Sequence, residues 1–341
     1  QARVMVAGLM NRWLGHGLVQ TPESKFEVEE LHPDNRSAPT SEDLFPRCPA
    51  RAEAHSIRRY TLLDSVVEVR FATNDHATLI HDVLGHLESS VERADHVMTT
   101  MEHESMHFVY VDGRISDSSA QLIGVAPLAK FRLLSLCVKR HPHVLNLHAG
   151  ALSNGRSCLL LPASAGSGKT SLTAALVDAG YDYFSDETAL LEPGSCNVRP
   201  VPLAFTVKQS GRKSLQSRYP ELETLPSHYR ADGKTVQYLQ PPASALPGDI
   251  ELPVTHMIFP KFSEESDTSL VPISRVEALR RIFEQSVALR QRLSLGDAAT
   301  VIEWTKNLAC FDLTYSSFDE ALPLISAEFS APLRRTLAEA G

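Results

Sequence analysis

Residues 158 to 180 read Cys158-Leu159-Leu160-Leu161-Pro162-Ala163-Ser164-Ala165-Gly166-Ser167-Gly168-Lys169-Thr170-Ser171-Leu172-Thr173-Ala174-Ala175-Leu176-Val177-Asp178-Ala179-Gly180. The opening four residues are uniformly apolar, as a strand covered on both faces requires, and Ser171 to Val177 is a helical run that stops at Gly180, a residue suited to the left-handed C′ position. Strand, glycine-bearing loop and helix in that order form a phosphate-binding loop. Ala165, Gly166, Ser167 and Gly168 supply the bend, because the two glycines let successive main-chain N–H groups point at phosphate oxygens beside the positive end of the helix. Lys169 brings a mobile cation to the β- and γ-phosphates, and the Thr170 hydroxyl is placed to ligate Mg²⁺. Position 163 carries Ala where the pattern usually has Gly, which is tolerated where no positive φ is needed. This segment predicts a nucleotide with Mg²⁺ as the ligands; ATP is the nucleotide expected, although base contacts come from residues outside the loop and the loop does not read the base.

The next stretch, Tyr181-Asp182-Tyr183-Phe184-Ser185-Asp186-Glu187, reads as a strand ending on two carboxylates. It directly follows the loop helix, so the chain should return its carboxylates to the strand end where the phosphates sit. A carboxylate there can orient or deprotonate an acceptor hydroxyl, which suits a compact kinase better than a motor ATPase. Val201 to Val207 is strand-like and runs into Lys208, a candidate cation for charge on the transferring phosphoryl group. The basic loop from Lys208 to Lys213 reads equally well as solvated surface.

Working outward, Val144 to Leu152 and Ser157 to Leu161 flank Asn154-Gly155, the dipeptide that supplies positive φ at both positions of a tight hairpin. Leu128, Phe131, Leu134 and Val138 predict a helix over Pro127 to Arg140 bridging two domains, with Pro in its first turn. Val67, Val69 and Phe71 alternate with Glu68 and Arg70 as a half-buried strand does, and Leu79 to Leu87 follow at helical spacing behind Asn74 and Asp75 as N-cap candidates. His107 to Val111 reads as a strand and Asp112-Gly113 as a hairpin turn. Val254 to Phe259 is a further apolar strand, and Ser274-Arg275-Val276-Glu277 is a capping box opening a helix toward Leu289. Residues 1 to 55 mix Pro, Glu, Ser and Arg without period, with four prolines between Leu31 and Pro49. The domain organisation expected is an irregular arm over 1–55, a small α+β domain over 56–124 and a P-loop domain over 125–341.

The 341 residues are 43% apolar and 22% charged, a globular mix, and the net charge of −8 offers no positive field to attract nucleic acid or anionic lipid. No apolar run reaches 18 residues, and Val4 to Met10 is too short for a membrane span, so a cytoplasmic setting is expected. Five scattered cysteines, Cys48, Cys137, Cys158, Cys196 and Cys310, lack Cys-x-x-Cys spacing and read as reduced thiols.

These residues resemble the P-loop kinase domain of HPr kinase/phosphorylase and its related proteins, which share a fold with phosphoenolpyruvate carboxykinase. The likeness rests on Leu147-His148-Ala149-Gly150-Ala151, the hairpin, Gly166 to Thr170, Asp178-Ala179-Gly180-Tyr181 and Phe184-Ser185-Asp186-Glu187, in matching order and spacing. Weaker similarity runs through Arg199-Pro200-Val201-Pro202 to Lys208, Ile258-Phe259-Pro260-Lys261 and Phe311 to Ile325, covering roughly residues 125 to 330. The resemblance implies an α/β P-loop kinase fold with a smaller N-terminal α+β domain, Asp186 as the acid/base group, and His148 beside the active site. Glu187 stands where a second Asp is common and would keep negative charge near Mg²⁺, with Thr170 and Asp186. The Arg-Gly-x-Gly-type stretch expected of true HPr kinases is absent, so the resemblance does not carry over HPr as substrate or the reverse phosphorylase reaction. Related kinases act on serine in peptides or proteins, and some on small molecules. HPr kinases form rings of subunits, and the resemblance extends the option of a homo-oligomer to this chain.

His103-Glu104-Ser105-Met106-His107 matches the His-Glu-x-x-His zinc pattern, but that pattern needs one helix to carry both imidazoles and a strand follows at once. His141 and His143 bracket Pro142 at a domain junction. Trp13 and Trp304 read as core or surface anchors. The function expected is ATP- and Mg²⁺-dependent phosphorylation of a hydroxyl, with a serine of a peptide or protein as the leading acceptor. A small-molecule kinase, a nucleotide-sensing module and an ATPase switch stay open.

Overall fold

The computed structural model describes residues 46–164, 166–246, 249–284 and 293–330. The expected arm up to residue 45, with Val4 to Met10 and Trp13, lies outside the described residues, as do Ala165 and the helix continuation toward Leu289. The chain is mixed α/β and divides into two compact units, the division falling between Cys137 and Val138 with a short return of Tyr229–Gly233 to the first unit. No helix among the described residues is long and apolar enough to cross a membrane.

In the first unit, β1 (Ser56–Leu62), β2 (Ser65–Phe71), β3 (His96–His103), β4 (Met106–Val111) and β5 (Arg114–Ser119) lie side by side in chain order. Only β2 and β3 are parallel, and a parallel pair needs a crossover, which α1 (Asn74–Leu84) supplies. Val67, Val69 and Phe71 are fully buried on alternate positions of β2, and α1 packs on β1 and β2 with Ile80, Val83 and Leu84 buried. The N-cap is Thr73, one residue before Asn74 and two before Asp75, the expected candidates; its hydroxyl accepts from the His76 amide at 3.2 Å.

His76 is fully buried, with Nδ1 3.0 Å from Thr100 Oγ1 and Nε2 3.1 Å from His107 Nδ1. Burial, and then the neighbouring His107, push its pKa down to about 4. An imidazole in the unfolded chain titrates near ~6.5, so on acidification the unfolded state takes up the proton first. Stability is therefore held above about pH 6.5 and lost as pH falls toward about 4. Thermal denaturation should show Tm dropping through that window, and His76→Gln should flatten the drop; equal slopes in both proteins would refute the assignment.

Asp112 and Gly113 adopt φ of 48° and 83°, the doubly positive turn expected of that dipeptide. Glu104 and Ser105 do the same at 49° and 64°, joining β3 to β4. His103 and His107 consequently sit on opposite strands of a hairpin, not on one helical face. The bridging helix α2 (Val125–Arg140) starts two residues before Pro127 and buries Ala126, Ala129, Lys130, Leu133 and Cys137. The expected stripe of Leu128, Phe131, Leu134 and Val138 is only partly covered, and Phe131 is 57% exposed. Both stripes have helical spacing; the small side chains of the buried one are what a pattern built from large residues misses.

The second unit comprises β6 (Leu145–Leu147), β7 (Ala149–Ser153), β8 (Cys158–Pro162), α3 (Lys169–Asp178), β9 (Asp182–Ser185), β10 (Ala189–Leu191), β11 (Phe205–Lys208), α4 (Gln209–Leu215), β12 (Ser227–Tyr229), β13 (Thr235–Leu239), β14 (Val254–Phe262), β15 (Ser269–Pro272), α5 (Arg275–Glu284), α6 (Leu295–Lys306), β16 (Ala309–Tyr315) and α7 (Phe318–Glu328). Its main sheet has the order β15-β16-β14-β8-β7-β9, with β6 and β10 paired apart and β11-β13-β12 forming a third sheet. One face of the main sheet, through Cys158, Leu160, Met257 and Cys310, packs on α5 and α6. The other, through Leu159, Leu161, Ile258 and Leu313, packs on α3 and α7. A strand covered on both faces explains the unbroken apolar run that precedes the loop. Gly180 ends α3 at φ 114°, with its N–H donating to Val177 O at 3.0 Å and that of Tyr181 to Leu176 O at 3.2 Å, a Schellman closure.

Two local expectations change. Only Gly155 of the hairpin dipeptide has positive φ, because the Asn154 side chain closes the loop itself, accepting from the amides of Arg156 (3.1 Å) and Ser157 (3.0 Å). Val144 to Leu152 is not one strand: β6 pairs with β10, β7 with β8 and β9, and the chain changes sheets at His148.

Candidate functional site

Strand direction decides what meets at the end of the main sheet. β8, β14 and β16 are parallel, and β7 runs against both β8 and β9. The C-terminal ends of β8, β9, β14 and β16 and the N-terminal end of β7 therefore share one edge. That edge gathers the loop after Pro162, Asp186, Phe262, Tyr315 and His148.

Gly166 and Gly168 hold φ of 93° and 85°, so the loop has the left-handed bends that the glycines promise. Gly168 also has no room for a side chain, since a Cβ would collide with the Tyr315 hydroxyl, which donates to Gly168 O at 3.1 Å. The Phe262 amide donates to Ser167 O at 2.9 Å. The loop is thus tied down from the β14 and β16 side. Lys169 and Thr170 open α3, with Lys169 buried and Thr170 half-buried.

On the β9 side, the Lys169 ammonium donates to the Asp186 main-chain oxygen and lies 3.2 Å from Asp186 Oδ1. Asp186 is 2% exposed, and its Oδ2 has no hydrogen-bond partner among the described residues; the buried Ser167 hydroxyl oxygen is in the same condition. Buried polar oxygens are normally paired, so these two leave hydrogen-bonding capacity beside the loop that a cation or a polar ligand could use. Ser185 shapes the turn after β9, its hydroxyl accepting from the amides of Glu187 (3.3 Å) and Thr188 (3.1 Å). Glu187 Oε1 accepts from the Thr206 hydroxyl at 2.5 Å.

His148 Nδ1 lies 3.0 Å from the Glu187 main-chain oxygen. A carbonyl oxygen can only accept, so Nδ1 carries the proton and Nε2 is left as the basic nitrogen. Burial, and then the Lys169 ammonium, hold the imidazole pKa below its ordinary value. His148 is therefore neutral near pH 7.

Thus Asp186, Glu187, His148 and Lys169 come together, with Gly166, Ser167, Gly168 and Thr170 on the same loop and helix. Lys208 is the last residue of β11 and shares a strand face with Thr206 by alternation; the segment after it is α4, not a loop. Val207 and Gln237, on the opposite face, line a cavity of about 200 Å³. Thr206 escaped the sequence reading, and strand alternation counted back from Lys208 is the signal that would have found it.

Thr170, Asp186 and Glu187 offer hard oxygen donors of the kind Mg²⁺ takes, and the unpaired Asp186 Oδ2 fits such an ion. Among the described residues no group of three or more His, Cys, Asp or Glu side chains is arranged as a metal site. All five cysteines are free thiols, four of them buried. In comparisons with known proteins, the chain matches no family model and no curated protein.

Proposed function

We propose that this protein is an ATP- and Mg²⁺-dependent kinase of the HPr-kinase-related type that phosphorylates a hydroxyl, with a serine of a peptide or protein as acceptor. The observation that carries the reading is Asp186: a buried carboxylate at the end of the strand after the loop helix, touching Lys169 with one oxygen and leaving the other unpaired. The loop amides and Lys169 hold the phosphates. Asp186 Oδ2 accepts the hydroxyl proton as the acceptor oxygen bonds to the γ-phosphorus and the bond to the β,γ-bridging oxygen breaks, releasing ADP. Thr170 and Glu187 would hold Mg²⁺, which would supply positive charge against the phosphates, leaving Asp186 Oδ2 to the hydroxyl proton. Thr206 and the His148 ring, through the side chain and main chain of Glu187, steady the acidic turn.

The test is transfer of labelled γ-phosphate from ATP with Mg²⁺ to serine-bearing peptide and protein pools and, separately, to small alcohols. Labelled peptide or protein is the expected result. Tight ATP binding without label on any acceptor would remove the kinase reading and leave a nucleotide-sensing module; phosphate release without an acceptor would instead identify an ATPase switch.

A further inference from the structure

The reacting end of a bound triphosphate must lie toward β9, where Asp186 sits, since the group transferred is the terminal phosphoryl. Strand order then dictates where the other end goes. β14 and β16 lie on the opposite side of β8 from β7 and β9, so the nucleoside leaves the loop toward the C-terminal ends of β14 and β16. The side chains waiting there are aromatic. Phe262 closes β14 and is 40% exposed, although its own amide is bonded to the loop at Ser167 O. Tyr315 closes β16, packs against Phe262 in a T-shaped pair at a centroid distance of 5.5 Å and 68°, and anchors Gly168 through its hydroxyl. Phe318 lies behind Tyr315 at 6.0 Å.

A large apolar ring left in water at the edge of a buried sheet loses part of the stabilisation that covering it would bring, whereas a base stacked on its open face restores the cover. We propose that Phe262 is the stacking platform for the purine base of the nucleotide, with Tyr315 as the T-shaped neighbour that fixes both the ring and the loop. This rests on the kinase reading above, for the direction in which the triphosphate lies. Stacking requires a π face, not a particular hydrogen-bonding pattern, so the site selects purine nucleotides over inorganic polyphosphate without choosing strongly between adenine and guanine.

The experiment compares ATP, GTP and inorganic tripolyphosphate, each with Mg²⁺, by titration calorimetry on the wild type, Phe262→Ala, Phe262→Leu and Phe262→Trp. The expected result is ATP and GTP binding weakened about tenfold or more by Ala and by Leu, retained by Trp, and tripolyphosphate binding unchanged in all four. The ring is partly exposed, so these variants should fold; a circular dichroism melt checks that. Equal losses for ATP and tripolyphosphate, or no loss for either, would overturn the stacking role while leaving the phosphate loop standing. If the wild type binds neither ATP nor tripolyphosphate, the kinase reading itself falls and takes this site with it.

Discussion

Asp186→Asn is expected to lower phosphoryl transfer by about 10²–10⁴-fold, the usual contribution of a positioned general base, without weakening ATP binding. The Lys169 ammonium is engaged by the Asp186 carboxylate and main-chain oxygen. A phosphate must compete for that same cation. Asn keeps the shape and the main-chain contact but removes the charge, so the lysine is released more easily and ATP affinity should rise, by up to about tenfold if one charged hydrogen bond is at stake. Calorimetric titration with ATP and single-turnover transfer, run on the same preparations, separate the two effects. A variant that loses affinity in step with rate would mean that Asp186 acts by holding the metal and phosphates, and the proton-acceptor role would have to be given up.

Lys169→Ala should do the reverse damage. It removes the cation that reaches the phosphates, so ATP binding is lost, and it also strands a buried carboxylate. Breaking a buried ion pair from one side costs about 3–5 kcal/mol, because the remaining charge has no water and no partner. Urea denaturation should show that loss without any nucleotide present. Adding Asp186→Asn to Lys169→Ala should recover most of the stability and none of the nucleotide binding, since the stranded charge disappears while the missing cation does not return. A Lys169→Ala protein destabilised by less than about 1 kcal/mol would show that the pair behaves like a solvated one and would undercut the coupling inferred for Asp186→Asn.

An uncompensated lysine under the loop would be as costly as an uncompensated aspartate at the strand end, and each neutralises the other.

Much of this site was legible from the sequence where its determinants are local. The bend at Gly166 and Gly168, the strand before it, the helix after it and the closure at Gly180 depend on backbone conformations and on apolar spacing set by neighbouring residues. So does the placement of Asp186 and Glu187, because one short strand returning from one short helix has few places to end. The same logic handled Asp112-Gly113 well and Asn154-Gly155 less well, since an Asn side chain can close a turn by hydrogen bonding instead of adopting positive φ.

Tertiary structure alone decided which distant residues meet there. The strand break at His148, the bond from Thr206 to Glu187 and the aromatic edge of Phe262 and Tyr315 all follow from the strand order β15-β16-β14-β8-β7-β9 and from a neighbouring sheet. Tyr315 and Gly168 are 147 residues apart in the chain. No local propensity links them; their meeting is set by the sum of many small burial terms over the two faces of the sheet, a quantity that no single stretch of residues carries.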